Sequence, residues 1–309
     1  MIDSTPLVSV VIPTYNAGGF ICDAIASVTG QTWKNLEIIV VDDGSTDDTG
    51  VRVKNLSDSR IKYAYQENAS QAVARNKGIS LSQGEYVAFL DSDDMWSGDK
   101  LERQMRLFEN PSTGLVYSRL EYFEPDIKIK SSPNNPCYRG KVFKKLLFDN
   151  FIPCSSVVLR KSLLDSKHLF RTRRKGVEDW DLWLRLSLIT EFDYIDEPLV
   201  KYRSHDQSVS HDMDLMMKSV EVTIGEIGNE IRESFSASEV KKCLALLNVA
   251  FAREYMAYAH WLLMKKRICE AKSALAKALE FAPFNLRILK DSMKFKIKEV
   301  LKILHKESL

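Results

Sequence analysis

No stretch of the 309 residues approaches the roughly 18–20 consecutive apolar residues that would cross a bilayer. Any membrane attachment is therefore expected to be peripheral. Cysteine is sparse: Cys22, Cys137, Cys154, Cys243 and Cys269 are scattered, odd in number and without a C-x-x-C pair. That argues against a disulfide framework and against a zinc site, and suits a reducing compartment. A surplus of either charge is also lacking, since 44 Lys+Arg face 42 Asp+Glu for a net of +2. The chain does not have the basic balance of a nucleic-acid binder, and at 45% apolar residues it is not disordered. Neither G-x-G-x-x-G nor G-x-x-x-x-G-K-[ST] occurs, which disfavours dinucleotide enzymes and P-loop NTPases. Asp3 precedes the first apolar stretch with no basic lead-in, so no signal peptide is expected and a cytoplasmic location is.

What is present is alternation. Short β-branched or aromatic runs at 7–12, 36–41, 61–65 and 86–90 are separated by segments of helical spacing at 17–29, 47–57 and 70–82. This βαβαβαβ pattern predicts an α/β fold, a Rossmann-like and mostly parallel sheet flanked by helices with right-handed crossovers. Further strand-like runs lie at 114–123, 156–160 and 192–202, with a Pro/Asn-rich loop at 131–136 and a helix at 178–188. From about 211 onward only helical signal remains. The expected organisation is 1–110 as a nucleotide-binding half, 111–210 as an acceptor-binding half, and an all-helical extension over 211–309. Within the extension, Tyr255, Ala259, Ala271, Leu275 and Ala278 sit where a tetratricopeptide-like helical hairpin places small and apolar residues. One such unit cannot build a solenoid, so a packed helical hairpin is the simpler expectation.

In open parallel sheets ligands bind beyond the carboxyl ends of the strands. Here those ends are acidic: Asp42, Asp43 and Ser45 follow one strand, and Asp91, Ser92, Asp93 and Asp94 follow another. Carboxylates converging on one crevice repel unless a cation or hydrogen-bond donors compensate. An Asp-x-Asp turn suits Mg2+ or Mn2+, which takes one or two carboxylates and completes its shell with water and phosphate oxygens. Turn chemistry explains a single such cluster. Two clusters at the ligand-binding end of one sheet call for more.

Three segments, VSVVIPTYNAGGFICDAIASVTGQTWKNLEIIVVDDGSTDDT at 8–49, NASQAVARNKGI at 68–79 and GEYVAFLDSDDMW at 84–96, occur in an order and spacing that resembles the family 2 glycosyltransferases. The likeness extends over about residues 7–210. It implies the GT-A fold, a nucleotide-sugar donor and inverting transfer to a saccharide or lipid-linked saccharide. By the same resemblance Pro13, Tyr15 and Asn16 line the nucleotide pocket, and Asp43 accepts the uracil imide proton of a UDP donor, with Asp42 as the competing candidate. Ser45, Ser92 and Arg75 belong to the donor side. Arg75 either reaches the ligand or pairs with a strand-end Asp. The metal falls to Asp93 with Asp91 nearby. One departure is Ser70, where the family usually has glycine for close backbone approach.

Glu178-Asp179-Trp180-Asp181 opens a helix, where carboxylates also serve as caps. The resemblance assigns Glu178 and Asp179 to the catalytic pair, with Asp179 as general base and Asp181 as competitor. The run 202–208 matches a Tyr-Arg-x-His-x-x-Ser pattern in which His205 touches the metal or the diphosphate and Arg203 assists. Residues 285–309 carry seven Lys+Arg against three acids, and Leu286, Leu289, Met293, Ile297, Val300 and Leu304 recur at helical spacing. This stripe either packs on the preceding hairpin or lies on an anionic membrane surface. Two rivals stand: a sugar-phosphate nucleotidyltransferase, whose Gly-rich basic loop PTYNAGGF does not match, and a degenerate scaffold binding a partner through its helices.

Overall fold

The computed structural model describes residues 5–124, 127–131, 136–172, 176–203, 213–286, 288–292 and 295. The chain divides into two compact units: Met1–Leu146 with Asn150–Val209, and Leu147–Asp149 with Ser210–Leu309.

The first unit is built on a nine-stranded sheet in the order β3-β2-β1-β4-β8-β6-β9-β5, with β7 paired to β6. Its first half follows the alternation: β1 (Val8–Thr14), α1 (Ile21–Thr29), β2 (Leu36–Asp43), α2 (Thr49–Lys54), β3 (Ile61–Gln66), α3 (Gln71–Leu81) and β4 (Tyr86–Phe89). β1 and β2 are buried along their whole length, as strands covered on both faces must be. Val8, Val10 and Ile12 face α1 through Ile21, Ala24, Ile25 and Val28. On the opposite face, α3 lies against β1 so closely that a Cβ at Gly78 would meet Val11 Cγ1 at 2.2 Å.

The second half contains β5 (Met95–Trp96), α4 (Lys100–Arg106), β6 (Thr113–Glu124), β7 (Ile127–Ser131), α5 (Phe143–Leu146), β8 (Val158–Arg160), α6 (Glu178–Leu186) and β9 (Glu191–Arg203). Here the mostly parallel sheet gains its antiparallel members. β1–β2, β2–β3, β1–β4 and β6–β9 are parallel, whereas β4–β8, β6–β8, β5–β9 and β6–β7 are antiparallel, so the sheet is mixed. Apolar runs reveal strands but carry no direction.

The second unit comprises α7 (Met213–Ser234), α8 (Ala237–Met264) and α9 (Ile268–Phe281). Tyr255, Ala259, Ala271, Leu275 and Ala278 are all buried. Phe281 stacks on Phe251 with ring centroids 4.6 Å apart. Polar stitches fix α7, with Asp214 accepting from Tyr258 and Arg267, and Glu221 accepting from Tyr255 and Lys277. Of the amphipathic stripe, Leu286 is 83% exposed, while Ile288, Ser292 and Phe295, on a different face, are buried. The other stripe positions after Leu289 lie outside the described residues. No helix among the described residues is long and apolar enough to cross a membrane.

Candidate active site

β1 is flanked by β2 and β4, and the chain runs from β1 outward through β2 and β3 before returning to β4 on the other side. That reversal puts the crevice of an open sheet at the carboxyl ends of β1 and β4. Pro13 is buried at the end of β1, and Tyr15 beyond it is 51% exposed. Asn16 adopts φ +48°, a left-handed conformation that asparagine tolerates better than most residues. It latches the β1 loop to the β2 loop: its N–H donates to Ser45 Oγ at 2.9 Å, and its Oδ1 accepts from the Thr46 N–H at 2.8 Å.

The two aspartates of β2 have different tasks because successive strand residues face opposite ways. Asp42 is internal, accepting from Tyr63 Oη at 2.7 Å and from the Ser45 N–H at 2.8 Å. Asp43 turns to the loop after β3, where its Oδ1 accepts from Gln66 Nε2 at 2.6 Å and from the Ala69 N–H at 3.0 Å. Gly44 makes this approach feasible: its φ is +84°, and a Cβ there would lie 2.7 Å from Asn68 N. Ser70 adopts φ +156° with ψ +161°, at the edge of the region natural to glycine, and caps α3 by accepting from the Val73 N–H at 3.4 Å.

The acidic turn after β4 is held from several sides. Ser155 Oγ accepts the Asp91 N–H at 3.1 Å and donates to Asp94 Oδ2 at 2.6 Å. Arg203 donates its backbone N–H to Asp94 Oδ1 and its Nε to the Asp93 carbonyl, both at 3.1 Å. Burial, reinforced by Asp93 and Asp91, pushes the Asp94 carboxyl well above the usual carboxylate range. Asp94 is thus a buried brace, while Ser92 and Asp93 are half-buried on the same turn. Asp91 Oδ1 accepts from Arg75 Nη2 at 2.7 Å and from Gln71 Nε2 at 3.0 Å, and its Oδ2 has no partner among the described residues.

Arg75 ties this turn to α6. It is 3% exposed, and its Nη1 donates to Glu178 Oε1 at 3.1 Å. Of the two sequence readings of Arg75, the structure displays the pairing with a strand-end aspartate and adds Glu178 as second partner. Asp179, one residue further, lines a cleft of about 190 Å3 with Asn150, Arg119, Tyr122, Cys137 and Pro153. Burial and the adjacent Glu178 push its carboxyl up to about 7, with Arg75 pulling the other way. Asn150 Nδ2 donates to its Oδ1 at 3.3 Å. Asp181 is fully buried and engaged differently, accepting from Arg185 on Oδ2 at 2.7 Å and from Arg171 on Oδ1 at 3.0 Å. His205 lies outside the described residues.

Pro13, Tyr15, Asn16, Asp43, Ser45, Arg75, Asp91, Ser92, Asp93, Glu178 and Asp179 all belong to the first unit: Pro13 and Asp43 at the ends of β1 and β2, Tyr15, Asn16, Ser45, Asp91, Ser92 and Asp93 in the loops after β1, β2 and β4, Arg75 within α3, and Glu178 and Asp179 at the start of α6. Sequence reasoning missed Gln66, Gln71, Asn150 and Ser155. Gln66 had a usable signal, since it ends a parallel strand just as Asp43 does. Ser155 and Asn150 had none.

The Glycosyl transferase family 2 profile matches residues 9–166, just over half of the chain. The Escherichia coli protein UDP-Glc:alpha-D-GlcNAc-diphosphoundecaprenol beta-1,3-glucosyltransferase WfgD is 35% identical over 214 residues, which cover 66% of this chain and 79% of that protein. Uncharacterized glycosyltransferases of Rickettsia bellii, R. conorii and R. felis are 35–36% identical, and this chain spans about a third of their length or less. Among solved structures, S. aureus TarS 1-349 in complex with UDP-GlcNAc aligns over 89% of this chain and 88% of its own, with TM-score 0.64 and 17% identity. The mannosyltransferase PcManGT from Pyrobaculum calidifontis, in complex with GDP-Man and Mn2+, aligns over 97% of this chain and 81% of its own, with TM-score 0.64 and 18% identity. Such distant structural likeness establishes the GT-A fold, and the profile match over the very segment that builds the crevice establishes more: the chain belongs to glycosyl transferase family 2.

Proposed function

We propose that this chain moves a glycosyl group from a nucleotide sugar, with UDP as the carrier, to a hydroxyl of a saccharide or lipid-linked saccharide, inverting the anomeric centre. The observation that carries this reading is Asp179, a carboxyl poised at about 7 on the wall of a cleft and coupled through Glu178 and Arg75 to the acidic turn after β4. A general base works best when its pKa lies near the working pH. In this reading residues 1–110 hold the donor and 111–210 the acceptor. Pro13, Tyr15, Asn16 and Ser45 bound the nucleoside pocket and Asp43 takes the imide proton of the base. Asp179 withdraws the acceptor's hydroxyl proton as the oxygen attacks from the face opposite the leaving diphosphate. One displacement inverts the centre without a covalent enzyme intermediate.

Asp91 and Asp93 suit Mg2+ or Mn2+, which needs only one or two protein carboxylates beside water and phosphate oxygens. Asp91 Oδ2 is unengaged among the described residues, although no group of three or more His, Cys, Asp or Glu there forms a ligand cluster. Bound there, the cation supplies charge neutralisation for the leaving diphosphate. The acceptor class follows WfgD, whose name specifies a diphosphoundecaprenol-linked sugar, and points to bacterial surface polysaccharide synthesis. A lipid-linked acceptor requires visits to the membrane face, for which 285–309 is the proposed contact. Co-sedimentation with anionic vesicles checks that contact: salt-sensitive binding lost on deleting the segment is expected, and none in the full chain contradicts it.

The test of the function is a panel of UDP-, GDP- and dTDP-sugars with Mn2+, read by release of the nucleoside diphosphate with and without diphosphoprenol-linked acceptors. Turnover of UDP-sugars is expected. Absence of turnover with every donor, or formation of a nucleotide sugar from nucleotide and sugar phosphate, would overturn the reading.

A further inference from the structure

Asp91 is held at three points. Arg75 Nη2 at 2.7 Å and Gln71 Nε2 at 3.0 Å both donate to its Oδ1, and its backbone N–H donates to Ser155 Oγ at 3.1 Å. Gln71 and Arg75 are four residues apart on α3, which puts them one above the other on a single helix face. Two donors fill the lone-pair directions of Oδ1 and so orient the carboxylate. Oδ2 is left without a partner among the described residues and is not sealed from solvent.

The two donors differ in charge. Arg75 is buried and divides its positive charge between Asp91 and Glu178. Gln71 is half-buried, and because a carboxylate only accepts, it faces Asp91 with its uncharged amide nitrogen. It fixes the carboxylate without cancelling the negative charge that attracts a cation, whereas a second cationic side chain at this position would leave Oδ2 a poor ligand. We propose that Gln71 is a positioning residue for the divalent cation: it pins Oδ1 of Asp91 with an uncharged donor, so that Oδ2 keeps its aim and its charge for the metal. The inference rests on the Mg2+ or Mn2+ reading above and deepens it, adding to the acidic turn after β4 a residue supplied by a separate element, α3. Groups that orient a metal-ligating side chain typically matter about 10–100-fold in metal affinity.

Calorimetry of wild type, Gln71→Met and Gln71→Lys tests it. UDP is titrated into the full chain in EDTA and at a series of Mn2+ concentrations, which separates metal-free UDP affinity from the Mn2+ concentration that gives half of the metal-dependent gain. Gln71 is the first residue of α3, where methionine and lysine are good helix formers, and any unfolded fraction lowers the stoichiometry rather than the affinities. Gln71→Met keeps the length and loses the donor, so about tenfold more Mn2+ should be needed while UDP affinity in EDTA stays within about twofold. Gln71→Lys keeps a donor and adds a charge, so it should need at least as much Mn2+ as Gln71→Met while UDP in EDTA binds as well or more tightly. A purely structural role would not move the two readings apart in this way. An unchanged Mn2+ requirement in Gln71→Met, an equal loss of UDP affinity in EDTA, or a wild-type Mn2+ requirement in Gln71→Lys each overturns the role of Gln71 while leaving the metal reading in place. A wild type whose UDP binding gains nothing from Mn2+ overturns both.

Discussion

Replacing Arg75 with methionine removes the charge that joins the two halves of the site while keeping most of the side chain's bulk. The guanidinium is 3% exposed and contacts Asp91 at 2.7 Å and Glu178 at 3.1 Å, and the Glu178 side chain is only 8% exposed. Removing one partner from a buried pair leaves an uncompensated buried charge and costs about 3–5 kcal/mol. Against the roughly 5–15 kcal/mol that holds a typical domain together, the variant should fold but unfold in much less urea. Activity should change in a second way. Arg75 lowers the pKa of Asp179, so its loss must raise it. With the wild-type carboxyl at about 7, kcat/KM should rise about fivefold from pH 6 to 7 and less than twofold from pH 7 to 8. In Arg75→Met that limb should move to higher pH. The same carboxyl sits above its unfolded value, so its contribution to stability falls as pH rises from about 4 to about 7. Urea melts and pH–rate profiles of both proteins are the assay. A loss below about 1 kcal/mol together with an unmoved acid limb would refute the idea that Arg75 couples the acidic turn to the base.

Three other substitutions probe separate parts of the site. Ser70→Gly should stabilise the fold by about 1 kcal/mol, because relief of the backbone conformation at φ +156° exceeds the loss of a cap and the entropy of glycine; a destabilised variant in urea melts would contradict this. Asp181→Asn, by weakening a buried carboxylate's hold on Arg185 and Arg171, should cost about 3 kcal/mol while turnover per folded molecule stays near wild type; loss of turnover in stably folded protein would move the base there. Asp93→Ala should abolish the Mn2+-dependent part of UDP binding measured by calorimetry, and undiminished metal-dependent binding would rule Asp93 out as a ligand.

The carboxyl ends of β1, β2 and β4 were legible in the sequence because the buried strands are continuous apolar runs, so their first polar residues mark the crevice directly. Short or atypical elements hid themselves. β5 has two residues, and α4 begins with Lys100, which is fully buried with its ammonium 3.9 Å from the Trp96 ring centre and so breaks the apolar period. Asp42 and Asp43 read alike in the sequence, and their division of labour is set by tertiary partners, Tyr63 claiming the first and Gln66 the second. Ser155 braces the acidic turn from 61–64 residues away, a relation that arises only when β4 and β8 pair. Asp179 and Asp181 look alike as a pattern; what separates them is that two arginines enclose one and a cleft opens beside the other.

The central claim, that Asp179 is the base of a glycosyl transfer from UDP-sugar, is tested most directly by single-turnover transfer in wild type and Asp179→Asn with UDP affinity measured in parallel. The asparagine keeps size and polarity but cannot take the proton, so transfer should fall by about 100-fold or more while UDP affinity stays within about twofold. Transfer at near wild-type rate in Asp179→Asn would contradict the account.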